Sequence, residues 1–301
     1  MAKALLDTEL LKRLRYFSLL ARRAGGRGLL AASRAKLPGG GTDVAGLRDY
    51  APGDDYRHVD WAWCARRDEL LTKVYEGHAD PHIYILVDCS ASMSVGRPSK
   101  LYVAQQVAAA IGYAALVNMD RLGVAAFADG LVAALPPLCH HTRLPRLLQF
   151  LDSLTTQGRQ TDLARSVESF VRRRQRPGPV VIVSDMYDIH GFQRGLEMLR
   201  YRGYEPRLVQ VQDPREIDPQ FVGDVEIFDV ETGAVRQVTV TQRMVARYRQ
   251  LVGKFQDSLC TYCAERGIAY VRVASNMSAD EIMRALVVGG SHESAAGIGL
   301  P

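Results

Sequence analysis

Asp88, Ser90 and Ser92 place three oxygen side chains at alternate positions, and this is the pattern in the chain that points most directly to chemistry. In extended backbone every second side chain points the same way, so one carboxylate and two hydroxyls converge. An all-oxygen set suits a hard cation, Mg²⁺ or Mn²⁺, better than zinc or copper, which favour nitrogen and sulfur. Two more oxygen donors stand in comparable places. Thr161 sits on a loop before an amphipathic segment with Leu163, Val167 and Phe170 on one face, and Asp185 ends the apolar run Val180 to Val183. With Asp88 and Asp185 ionised, a divalent ion is just neutralised and stays available to an incoming carboxylate. A plainer account has the two aspartates ending strands and the two serines capping a helix. Five positions in order weigh against it.

The elements around these residues read as alternating buried strand and amphipathic helix. Strands are expected at 83–87, 122–127, 180–184, 207–211 and 268–273, and helices near 100–118, 143–154, 162–174, 191–202, 242–266 and 278–287. The strands are continuous apolar runs, the pattern of parallel strands covered on both faces. The predicted fold is therefore α/β, a doubly wound, mostly parallel, Rossmann-type sheet over residues 81–288, with a smaller N-terminal lobe at 1–80 and a tail at 289–301. Asp224 to Phe228 and Val235 to Val240, flanking Glu231-Thr232-Gly233, predict an inserted hairpin.

Residues 1–80 have a different character. An amphipathic pattern of Leu10, Leu14, Phe17 and Ala21 predicts a packing helix, followed by the glycine-rich stretch Leu37 to Gly41. Then comes a dense charged motif containing Arg48, Tyr50, Pro52, Gly53, Asp54, Asp55, Arg57, Asp60, Trp61 and Arg66. Pro52-Gly53 has the dihedral preferences of a type II turn, and Asp54 or Asp55 can cap a short helix after it. The balanced charges predict arginine–carboxylate pairs, read as a structural clasp joining the lobe to the sheet domain.

R-x-Y-x-P-G-D-D-x-R-x-x-D-W, followed by Ala65-Arg66, Lys73, Tyr75, Glu76 and then D-x-S-x-S-M, resembles the family called domain of unknown function 58 (DUF58). Asp120 to Val124 and Asp229 to Gly233 match it as well. The resemblance implies a von Willebrand factor A-like domain whose metal-ion-dependent adhesion site would comprise Asp88, Ser90, Ser92, Thr161 and Asp185. It also implies a partner class, the MoxR-type AAA+ ATPases, and no established reaction.

The remaining features narrow the function. The chain has 301 residues, 47% of them hydrophobic, and a net charge of +5 spread over dispersed arginines. No aromatic-interleaved basic motif accompanies them, so specific nucleic-acid binding is not expected. Five cysteines, an odd number, fit a reducing compartment, and with no membrane span or secretory signal evident the expected location is cytoplasmic. Cys260 and Cys263 lie near a helix C-terminus, which raises thiol pKa and disfavours redox work. No nucleotide-binding glycine loop is present. The reading is a non-enzymatic adaptor or co-chaperone that binds a partner's carboxylate through its metal. The alternative is a Mg²⁺-dependent hydrolase or phosphatase using Asp88 and Asp185, with Lys100 as the nearest candidate phosphate clamp.

Overall fold

The apolar runs assemble into one six-stranded sheet whose alternation sends successive side chains to opposite faces. The computed structural model describes residues 16, 38–76, 82–157, 161–188, 190–228 and 234–288. The expected packing helix around residues 10–21, apart from Tyr16, the hairpin turn at 231–233 and the tail at 289–301 lie outside them. The chain divides into two compact units, one of them Ser33–Pro81 and the other holding His82 onward.

In the first of these, β1 (Pro38–Asp49) pairs antiparallel with β2 (Leu71–Glu76), with a register shift between Val44 and Gly46. The glycine-rich stretch is thus taken up in extended backbone. A single 3₁₀ turn, Tyr56–His58, and helix α1 (Trp61–Arg67) fill the connection.

In the larger unit, β3 (His82–Asp88), β4 (Arg121–Phe127), β5 (Leu131–Leu138), β6 (Pro179–Ser184), β7 (Glu205–Gln212) and β10 (Ala269–Ala274) lie in the order β10-β7-β6-β3-β4-β5. All pairings are parallel except β4 with β5. Strand β5 is absent from the sequence expectation. Its Ala-rich, Pro-Pro-containing segment lacks the branched apolar run that marks the others, and prolines are admitted because it is an edge strand. β8 (Gly223–Phe228) and β9 (Val235–Val240) form the expected hairpin as a separate two-stranded sheet.

Ile85 and Val87 of β3, with Val181, Val183, Val209 and Val211, face α2 (Lys100–Val117), α3 (Leu144–Asp152) and α8 (Ala279–Val288). Tyr84 and Leu86, with Val180, Ile182 and Leu208, face α4 (Leu163–Val171), α5 (Gln193–Tyr201) and α7 (Gln242–Glu265). The short α6 (Pro214–Ile217) lies between β7 and β8. Helices on both faces define a doubly wound sheet, as the sequence predicts. Among the described residues only α2 is long and apolar enough to cross a membrane, and 78% of it is buried within the fold. From β3 the chain crosses to β4 on one side, while β6, β7 and β10 extend the sheet on the other. The carboxyl ends of β3 and β6 therefore flank the point where strand order reverses, the usual place for a site in open α/β sheets.

Candidate metal centre

Asp88 and Asp185 stand at this switch point, at the end of β3 and directly after β6, and both are fully buried. Asp88 holds its place by two hydrogen bonds. Oδ1 accepts from the Ser90 amide at 2.8 Å, and Oδ2 accepts from the Ser184 hydroxyl at 2.6 Å. Beyond Asp88 the backbone enters a 3₁₀ turn, Ala91–Ser94, yet the Ser90 and Ser92 hydroxyls still meet, 3.0 Å apart. Residues on either side of Thr161 are bonded to the same rim. Gln157 N donates to Cys89 O at 2.6 Å, Asp162 N to Ala128 O at 3.0 Å, and Leu163 N to Asp188 Oδ2 at 2.9 Å. Asp162 caps α4 by accepting from Arg165 N.

The electrostatics favour a cation at Asp88. Burial, reinforced by the charge of Asp185, pushes its carboxyl up to about 7, against the weaker lowering from Ser184 and Ser90. Thr161 is buried and its hydroxyl has no hydrogen-bond partner. A buried hydroxyl without a partner costs on the order of 1–3 kcal/mol, which a ligand at that oxygen would offset. Asp88, Ser90 and Ser92 thus gather oxygen donors of the kind a hard divalent ion takes, and Thr161 offers a further unpartnered oxygen. Among the described residues no group of three or more His, Cys, Asp or Glu is placed to hold a metal.

The sequence reads Asp185 as the second carboxylate of the site; its Oδ2 accepts from Lys100 Nζ at 2.8 Å and its Oδ1 from the Tyr187 amide at 3.1 Å. The same ammonium reaches Glu216 at 2.8 and 2.9 Å. Burial opposes the Lys100 charge, and the two carboxylates outweigh it, holding the ammonium above its ordinary value. Asp88, Asp185 and Glu216 with the Lys100 ammonium carry two net negative charges when all are ionised.

Lys100, Glu216 and Ser184 are the residues that sequence reasoning missed as a group. Glu216 follows the carboxyl end of β7, as Asp185 follows that of β6, and applying the strand-end rule to Asp213-Pro214-Arg215-Glu216 would have found it. Gly96, at φ +109, lets the chain pass close to this segment, since a Cβ there would lie 2.6 Å from Asp213 Oδ2. Cys263, by contrast, is pushed up to about 12, chiefly by burial, as a structural thiol would be.

The charged motif of the smaller unit forms its pairs near the surface. Arg48 donates to Asp54 at 2.6 Å with its side chain 52% exposed, and Arg57 pairs with Asp55 at 2.9 Å with its side chain 75% exposed. Gly53 has φ +108, and Asp54 closes the turn by accepting from the Ala51 amide. Asp55 caps the 3₁₀ turn and Asp60 caps α1, accepting from Ala62 N and Trp63 N. Arg66 bonds the Ala62 carbonyl instead of a carboxylate, Tyr50 takes part through its amide to Leu70 O, and Trp61 is 60% exposed. Within their own unit these residues cap and brace local turns, because neighbours in sequence satisfy them.

Residues 46–256 match the family described as protein of unknown function DUF58. An uncharacterized protein of Mycobacterium tuberculosis is 31% identical over 211 residues, which cover 68% of this chain and 65% of that protein, so the chain spans about two thirds of that relative's length. Among solved structures, a conserved hypothetical protein BatB from Bacteroides thetaiotaomicron is 17% identical with TM-score 0.43, covering 68% of this chain and 96% of that one. A von Willebrand factor type A protein from Catenulispora acidiphila is 12% identical with TM-score 0.42, covering 73% of this chain and 44% of that one. On the extent of the family match, the chain belongs to the DUF58 family.

Proposed function

We propose that this chain is a metal-dependent protein-interaction module, which holds Mg²⁺ or Mn²⁺ at Asp88, Ser90, Ser92 and Thr161 and recognises a carboxylate on a partner protein. The observation that carries the reading is the buried Thr161 hydroxyl without a partner, a few residues after Gln157, whose amide bonds Cys89 O in the segment that bears Asp88 and the two serines. Asp185 belongs to the same rim and acts on the ion through its charge. The bound ion supplies an electrophilic position that an Asp or Glu side chain fills. The chain's own groups orient that contact: Ser184 and the Ser90 amide fix both Asp88 oxygens, and Lys100 fixes Asp185.

The role is one of binding and not turnover, because Asp88 and Asp185 are each tied to neighbours in ways that suit holding a charge better than attacking a substrate. The partner class the family resemblance suggests is a MoxR-type AAA+ ATPase, with this chain as its adaptor or co-chaperone in the cytoplasm. Titration calorimetry with Mg²⁺ and Mn²⁺ is the direct test. Asp88→Ala should abolish binding, and chelation and Asp88→Ala should weaken partner capture equally. Unchanged ion affinity in Asp88→Ala would sink the site. Capture of the same partner with and without chelator would sink metal-dependent recognition.

A further inference from the structure

The ion triad beside the candidate centre has a geometry that metal binding at Asp88 does not use. Lys100 Nζ lies 2.8 Å from Asp185 Oδ2 and 2.8 and 2.9 Å from the two oxygens of Glu216. The Lys100 and Asp185 side chains are completely buried, and that of Glu216 is 21% exposed. The ammonium also stands 5.5 Å from the centroid of the Tyr187 ring.

These oxygens are held from several directions. The Tyr187 amide fixes Asp185. Glu216 Oε2 accepts from Asp213 N at 3.4 Å within a capping box, and the Tyr248 hydroxyl donates to Glu216 O at 2.7 Å. Asp213 in turn accepts from Ser275 Oγ at 2.9 Å, just beyond β10. Segments following β6 and β7 therefore hold three carboxylate oxygens around one point, with Ser275 after β10 bracing the Asp213 cap beside them, and a cation stands at that point.

We propose that Lys100 is a tethered cation filling a second cation position, between Asp185 and Glu216, so that the rim takes one divalent ion and not two. The count of one rests on the metal reading above, whereas the position itself does not. Two carboxylates in a buried place need positive charge beside them, and a lysine supplies it without exchanging with solvent. The spacing suits an ammonium. Calcium takes oxygens at roughly 2.3–2.6 Å and magnesium at roughly 2.0–2.1 Å, so the cradle would have to close a few tenths of an ångström for the first and much further for the second. Emptied of the ammonium, the position should therefore prefer Ca²⁺. Two adjacent metals characterise many hydrolytic sites, and a fixed ammonium forestalls that arrangement. Lys100 is in this sense a residue that determines which cations, and how many, the rim accepts.

The test is Lys100→Met in the full chain, with Lys100→Arg keeping the charge, titrated with Ca²⁺, Mg²⁺ and Mn²⁺ while ion stoichiometry and melting are followed. Lys100→Met should bind one more ion per chain than wild type, favour Ca²⁺ over Mg²⁺ at that added position by about tenfold or more, and melt higher as Ca²⁺ is added. Adding Glu216→Gln should remove the gained ion, and Lys100→Arg should match wild type. Wild type binding no ion while Lys100→Met binds one would overturn the Asp88 reading and leave this one standing. The proposal is overturned if Lys100→Met binds no more ions than wild type, stays unfolded in saturating Ca²⁺, or gains an ion that survives Glu216→Gln. It is equally overturned if Lys100→Arg gains an ion.

Discussion

Two clusters of charge in this molecule are built on opposite plans. The motif between Arg48 and Arg66 is dense in sequence, and Arg48–Asp54 and Arg57–Asp55 join residues six and two positions apart while remaining partly in water. The cluster at the strand ends is sparse in sequence, joins residues 85 and 116 positions apart, and excludes water around Lys100. Local density of charge thus says little about the energy stored in a cluster. An exposed pair gains little over its hydrated state, whereas a buried charge deprived of its partner has no hydration to fall back on.

The largest effect expected from this contrast is at Lys100. Without added divalent ion, Lys100→Met should destabilise by about 3–5 kcal/mol in chemical denaturation, because Asp185 and Glu216 lose their common counter-charge. Arg48→Met, tested alongside, should leave the denaturation midpoint almost unmoved. Equal losses in the two variants would break the comparison.

A second, opposite effect is expected at Asp120, which follows α2 and is buried. Burial pushes its carboxyl from 3.8 up to about 7. Since the folded value lies above the unfolded one, its contribution to stability is complete below pH 3.8 and is lost as pH rises towards 7. Asp120→Asn should therefore stabilise by on the order of 2 kcal/mol above pH 7 and confer no advantage near pH 3. Melting curves across that range check it, and a pH-independent difference would contradict it. A smaller effect is expected at Asp60. Removing its cap on α1 in Asp60→Ala should lower the melting temperature of the smaller unit by a few degrees, with ion binding at Asp88 unchanged.

The same contrast explains what could be read from the sequence. β3 and β6 announced themselves as unbroken apolar runs ending in acids, because a strand covered on both faces has no polar alternation to preserve. Ser90 and Ser92 were legible because they lie within four residues of Asp88. Their hydroxyls do meet, although a 3₁₀ turn, and not extended backbone, brings them together. The Lys100 triad was not legible as a unit. A lysine opening a helix has the appearance of a surface residue until the fold delivers two carboxylates from other strand ends. For Arg48, Asp54, Asp55 and Arg57 the pairing was visible and the burial was not, since burial depends on what else packs there.

The edge strand β5 has a consequence for crowded solutions. Sheet edges invite a neighbouring molecule to add its own strand, and β5 is the last strand on one side of this sheet. Its exposed Pro136 and Pro137 carry no amide hydrogen, so an incoming strand meets a backbone unable to complete a ladder. On that edge two successive imino acids therefore work against copies of the chain joining strand to strand.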